Sequence, residues 1–216
     1  MNKVKPIIMS TLMVKALLDN RKTMTRRLVK PQPTGTDPIY NPSAFEPDRG
    51  WYFKGGGFYK PPYQPCDILY ARETYFRKDC EPDCPGRTDA DECPFRRVGD
   101  LCYGYRAQYT EPIPDDIKWR PSIFMPRSAA RIWLRVKDVR CERLQSITPH
   151  DAWLEGCRIG NSFAWEDHIP ELQQMCRDIM FRDLWDSINK KRGYGWDANP
   201  WVWVITFERI EQEVPK

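Results

Sequence analysis

The stretch 21–30, RKTMTRRLVK, gathers five cations and two threonine hydroxyls into ten residues without a single acid. The plainest chemistry for such a run is the holding of an anion, since clustered Lys and Arg raise the local potential well above that of a mixed surface. A second basic run follows later in Arg127, Arg131, Arg135, Lys137, Arg140 and Arg143, diluted by Asp138 and Glu142. Either run alone also suits a solvated face. Two runs flanking one site suit an anionic partner.

Thiols are the other reactive groups. Cys80-x3-Cys84-x8-Cys93-x8-Cys102 has four ligands of the kind that hold a structural zinc in a loop too irregular to build its own core. The paired C-x2-C spacing is missing, however, and Cys66 competes for a place, so free thiols are the preferred state and no cofactor is required. Cys141, Cys157 and Cys176 fall in apolar-patterned segments and read as small core residues. With His150 and His168 the only histidines, a histidine zinc site and Ser-His-Asp catalysis have no support in the sequence. Neither G-x-x-x-x-G-K-[ST] nor G-x-G-x-x-G occurs, which argues against nucleoside-triphosphate and dinucleotide chemistry.

The elements that must position these groups can be read from pattern. Ser10 is an N-cap before a helix over 11–19, where Met13, Ala16 and Leu17 set the apolar stripe and Asn20 suits a left-handed stop. The basic segment is β-favouring over 21–29 and ends at Pro31 and Pro33. Residues 31–65 read as a long loop with one hairpin around 51–59, and Pro65-Cys66-Asp67 as a turn into a strand over 68–71. An irregular insertion is expected over about 77–118, with one strand near Leu101 to Ala107. Alternation over 131–144, with Ile132, Leu134 and Val136 on one face, predicts a half-buried strand. Thr148-Pro149 opens a helix that stops at Gly156, a longer helix spans about 171–188, and Trp201–Phe207 is too aromatic and β-branched to be anything but a strand. Short alternating strands with three helices predict an α+β chain, a small mixed barrel with helices over its mouths.

The chain has 216 residues, room for one domain carrying an insertion, and its nine Trp, ten Tyr and nine Phe supply core bulk. A net charge of +4 says little about partners. No apolar run reaches the roughly 18 residues of a membrane span, and the first ten residues lack a signal-peptide core, so a cytoplasmic protein is expected.

Several motifs in order carry a family likeness. Asn20-Arg21-Lys22-Thr23-Met24-Thr25-Arg26-Arg27 after a helix resembles the Lys-Thr-x-Thr-x-Arg signature of ASCH domains, relatives of the PUA RNA-binding fold. Asp67-Ile68-Leu69 with Arg72-Glu73 looks like that family's turn and second strand, with Cys66 where a Gly is usual. Ile147-Thr148-Pro149-His150-Asp151-Ala152-Trp153-Leu154-Glu155-Gly156 is similar to its short helix ending in Glu-Gly, and the closing strand entered through Trp196-Asp197-Ala198-Asn199-Pro200-Trp201 resembles the long phage and prophage members. The likeness covers about half the chain, and the insertion lies outside it.

Some compact ASCH proteins are amidohydrolases that remove the acetyl group of N(4)-acetylcytidine with a lysine, a threonine and a glutamate. The resemblance places these on Lys22, Thr25 and Glu155. A threonine hydroxyl attacks only when a base takes its proton, and a lysine is that base only when desolvation or neighbouring cations lower its pKa. The carboxylate then positions the lysine or a water. Being three apart, Lys22 and Thr25 would face opposite sides of a regular strand, so a turn or bulge must bring them together. Arg21, Arg26, Arg27, Glu73, Arg127 and Arg131 are the residues expected to meet substrate or nucleic acid. The implied partner is a nucleoside or single-stranded RNA, with the insertion as surface for a protein partner and no membrane. The same resemblance admits two other functions: a non-catalytic reader of RNA or a modified base, and a ribonuclease.

Overall fold

Ser10 does cap the first helix: its hydroxyl accepts from the Met13 N–H at 3.4 Å, and Asn20 follows in the left-handed region at φ 55°. The computed structural model describes residues 3–41, 50–80, 95–110, 117–157 and 170–211. In chain order its strands are β1 (Val4–Ile8), β2 (Met24–Leu28), β3 (Thr36–Asn41), β4 (Gly50–Lys54), β5 (Gly57–Tyr59), β6 (Ile68–Arg72), β7 (Tyr75–Asp79), β8 (Arg96–Val98), β9 (Leu101–Tyr105), β10 (Trp133–Arg143) and β11 (Trp201–Ile210). The helices are α1 (Thr11–Leu18), α2 (Pro149–Leu154), α3 (Pro170–Met175) and α4 (Arg182–Asn189), with a π-helical turn (Cys176–Phe181) joining the last two. The fold is mixed α+β. Among the described residues no helix is long and apolar enough to cross a membrane.

The chain forms two compact units. The first comprises Met1–Asp19, Ile68–Leu134 and Arg209–Lys216. Here β1 pairs in parallel with β6, from Val4 opposite Ile68 to Ile8 opposite Arg72, and a second antiparallel sheet runs β7-β9-β8. Tyr70, Tyr75, Tyr103, Tyr105, Met125 and Trp133 form its core. Trp133 is buried, not on an outward face as strict alternation predicts, because this core recruits the start of β10. The β7-β9-β8 sheet falls where an irregular insertion was expected, with β9 matching the one strand expected there near Leu101 to Ala107. The signal of the other two strands is hidden by charge: β8 is Arg-Arg-Val and β7 ends Arg-Lys-Asp, while Gly104 opposite Phe76 leaves the space that the Phe ring fills.

The second unit comprises Asn20–Asp67 and Arg135–Glu208. Its strands run β10-β11-β2, with β11 antiparallel to β2 in unbroken register from Val202 opposite Leu28 to Thr206 opposite Met24. A separate sheet runs β3-β4-β5, so the 31–65 segment holds one strand more than its single hairpin suggests. The extra strand is the edge strand β3, where Pro38 sits at a register shift, one of the few places a sheet tolerates proline. Met24, Val202 and Val204 face Trp153, Phe181 and Trp185 in this unit's core. Each such large apolar side chain contributes about 1.5–3 kcal/mol on burial. Cys141, Cys157 and Cys176 are buried as expected. The long helix exists but is not α throughout, since its middle turn is π-helical.

Candidate functional site

Lys22 and Glu155 meet because two chain turns aim them at each other. After Asn20 the backbone is pinned on both sides of Lys22's neighbour: the Thr23 N–H donates to Leu154 O at 3.0 Å, and Thr23 O accepts from the Phe207 N–H at 2.9 Å. On the other side, the Thr148 hydroxyl accepts from the Asp151 N–H at 3.0 Å, and Pro149 takes the first helical position of α2. Glu155 then caps the helix, followed by Gly156 at φ 95°. Only glycine takes that conformation without strain.

The Lys22 ammonium donates to Glu155 Oε2 at 2.6 Å and to the Glu155 backbone carbonyl at 2.8 Å. A cation at the carboxyl end of α2 satisfies one of the carbonyls a helix leaves unpaired. Both side chains are shut off from solvent, at 0 % and 2 % exposure. Burial pushes the Lys22 amine below its ordinary range, the Glu155 carboxylate pulls it back, and the Arg27 charge adds to the lowering.

Glu155 has a second cation. Arg26 Nη1 lies 3.4 Å from Glu155 Oε1, while Nη2 donates to Glu142 Oε1 and Asp151 Oδ2, both at 2.7 Å. Arg140 closes the group from outside, donating to Glu142 Oε2 at 3.2 Å and to Asp151 Oδ2 at 3.0 Å. Burial works against the Arg26 charge, but Glu155, Glu142 and Asp151 more than offset it and raise its pKa.

Thr25 is buried at 1 % exposure and sits opposite Ile205. Met24 and Arg26 touch each other, with Arg26 Nη1 at 3.4 Å from the Met24 sulfur, so strand alternation turns Thr25 and Arg27 to the other face of β2. The β2 register carries no bulge. Lys22 lies before the strand and its ammonium goes to Glu155, on the Arg26 side, so Lys22 and Glu155 are brought together while Thr25 makes no hydrogen bond to either among the described residues. The Arg27 charge acts on Lys22, and the Glu155 charge acts on Arg27. Burial lowers the Arg27 pKa against an opposing pull from Tyr63, whose own phenol is pushed up by burial.

The remaining expected residues are placed as follows. Arg21 Nη1 is 3.4 Å from Gly156 O, beside the pair. Glu73 and Arg131 belong to the first unit and pair with each other in a fork, at 2.9 Å for both bonds, with the guanidinium 4.2 Å from the Tyr105 ring centre. Arg127 is exposed in that unit, 5.7 Å from the Trp133 ring centre. Cys80 and Cys102 are buried there. Cys84, Cys93 and His168 lie outside the described residues. Much of the second basic run is neutralised internally, since Arg135 and Lys137 both meet Glu208.

Sequence reasoning missed Glu142, Asp151, Arg140 and Tyr63 as members of the site. Two of them left a readable trace: Asp151 and Glu155 are four apart on one helix face, and Arg140 and Glu142 are two apart on one strand face. No protein-family model, curated protein or solved structure matches this chain.

Proposed function

We propose that the chain is an amidohydrolase of the ASCH type, built on a PUA-like barrel, that removes an acyl group from the exocyclic nitrogen of a modified base such as N(4)-acetylcytidine. The observation that carries this reading is the solvent-excluded Lys22, lowered in pKa and bonded directly to Glu155. An amine kept from water, with the Arg27 charge acting on it, is easier to deprotonate than a surface lysine even against the pull of Glu155, which is the direction a general base requires.

In this mechanism the neutral Lys22 amine takes the Thr25 hydroxyl proton as the oxygen attacks the acyl carbonyl. The tetrahedral oxyanion collapses with cleavage of the C–N bond, and the Lys22 ammonium returns its proton to the departing base nitrogen. Water then attacks the acyl-threonine ester, giving up a proton to Lys22, and the ammonium passes that proton to the departing Thr25 oxygen as the carboxylic acid is released. Glu155 fixes the Lys22 amine throughout, and Arg27, two residues on from Thr25 and on the same face of β2, is the cation for an anionic intermediate or substrate.

A second reading has an observation of its own. The Lys22 ammonium has both a carboxylate and a carbonyl, as a purely structural ion pair would, and this favours a reader that binds the modified base without cutting it.

One experiment separates the two. Purified protein is incubated with N(4)-acetylcytidine and cytidine release is followed by chromatography. Hydrolysis should occur, Lys22→Ala and Thr25→Ala should abolish it with the fold intact, and Glu155→Gln should impair it severely. A wild type that binds the nucleoside or single-stranded RNA yet releases no cytidine establishes the reader instead.

A further inference from the structure

We propose that Arg26 is a positioning residue, holding the Glu155 carboxylate in register with Lys22 by tying it to Asp151 and Glu142, and acting on the reaction only through Glu155. This rests on the hydrolase reading above. A glutamate side chain has three rotatable bonds, and a carboxylate held by one donor still pivots about that contact. Here each oxygen has its own cation: Lys22 on Oε2 and Arg26 on Oε1. Because Arg26 Nη2 also takes Asp151, one turn earlier on α2, the guanidinium spans two successive acids on the same helix face and fixes the Glu155 side chain against its own helix.

Arg26 is itself held. Its Nη2 reaches Glu142 on β10, Arg140 pins the second oxygen of Glu142 and shares Asp151 Oδ2, and the guanidinium lies 5.7 Å from the Phe181 ring centre. The side chain has no solvent exposure, and its buried Nε has no partner among the described residues, so the whole ionic hold runs through Nη1 and Nη2. Arg26 and Arg140, with Lys22 in its protonated form, face the three carboxylates Glu142, Asp151 and Glu155. The Arg26 side chain is shut off from solvent and its terminal nitrogens are taken up by three internal carboxylates, which separates Arg26 from a residue that grips phosphate. The basic β2 segment therefore divides: Arg26 faces inward to organise Glu155, while Arg27 alternates to the Thr25 face.

The test is a kinetic double-mutant cycle on N(4)-acetylcytidine hydrolysis with Arg26→Lys, Glu155→Gln and the two combined. Arg26→Lys keeps the charge but cannot span both acids, so kcat should fall roughly ten- to a hundred-fold with KM within about twofold. On the Glu155→Gln background the same change should cost less than about twofold more, because the group it positions is already disabled. Losses that multiply, or a KM that rises in step, overturn the proposal and place Arg26 on the substrate. Should Arg26→Lys fail to fold, Glu142→Gln loosens the same clamp from outside and should show the same non-additivity on a smaller loss. If the wild type hydrolyses nothing, the reaction assignment has failed and the Lys22 side-chain nitrogen resonance decides instead. Arg26→Lys should shift or broaden it as Glu155 is freed, and an unchanged resonance overturns the positioning role.

Discussion

Replacing Glu155 with Gln removes one charge from the Lys22–Glu155 pair and leaves its shape. At 2.6 Å and an effective dielectric constant of about 20, Coulomb's law gives the pair on the order of 6 kcal/mol of attraction. Desolvation of two buried ions takes back much of this, yet stranding one ion still costs about 3–5 kcal/mol, a large part of a typical domain's stability. Glu155→Gln should therefore lose that much at pH 7, measured by urea unfolding followed through tryptophan fluorescence. The loss should depend on pH, because the stranded amine can shed its proton. The folded Lys22 pKa lies below its ordinary 10.5, so between the two values the unfolded chain binds more protons. Stability then rises with pH across that window, by up to about 1.4 kcal/mol per unit, is complete above 10.5, and is lost as pH falls through the folded value. Without the carboxylate that pulls the amine back up, the variant should show the wider window and the larger total rise. Lys22→Met combined with Glu155→Gln should cost less than the sum of the single changes by about 1–3 kcal/mol. A Glu155→Gln protein within 1 kcal/mol of wild type at pH 7 (roughly a fivefold change in the unfolding equilibrium), or one that weakens as pH rises toward 10, would refute the ion-pair reasoning.

Two further tests concern cysteines. Cys66 holds φ 71°, so Cys66→Gly should relieve the left-handed strain and raise stability by about 1 kcal/mol with the urea slope unchanged, net of the extra freedom glycine has when unfolded. In alkylation mapped by mass spectrometry at pH 8, exposed Cys66 should label well before Cys141 and Cys157, whose thiols burial pushes up to about 12.

The elements around the site were legible because local chemistry and tertiary position agree there. Ser10 and Thr148 cap the helices their spacing announces, Asn20 and Gly156 stop them, and β2, β10 and β11 read as strands from β-branched and aromatic content. Glu155 is an acid at the unfavourable end of a helix, and the ammonium and guanidinium brought to it explain why it is tolerated there. What stayed hidden depends on partners distant in sequence. Glu142 reads as a diluent in a basic run until Arg26, 116 positions away, is found against it. β3, β7 and β8 are edge or short strands whose prolines and charges are an edge's defence against further pairing and mask their pattern.

The π-helical turn Cys176–Phe181 has a consequence for chain length. A π turn accommodates one residue more than an α turn over the same rise, so every side chain beyond it is rotated by about 100° from where an uninterrupted α-helix would leave it. Phe181 reaches the Arg26 guanidinium from within that turn, and Trp185 enters the core just after it. A single-residue deletion in this segment would let the turn close to α geometry and keep Trp185 facing the core, whereas closing the turn without a deletion would swing Trp185 away. In this helix the phase of the chain, set by counting residues, decides what stands behind Arg26 as much as the identity of any side chain does.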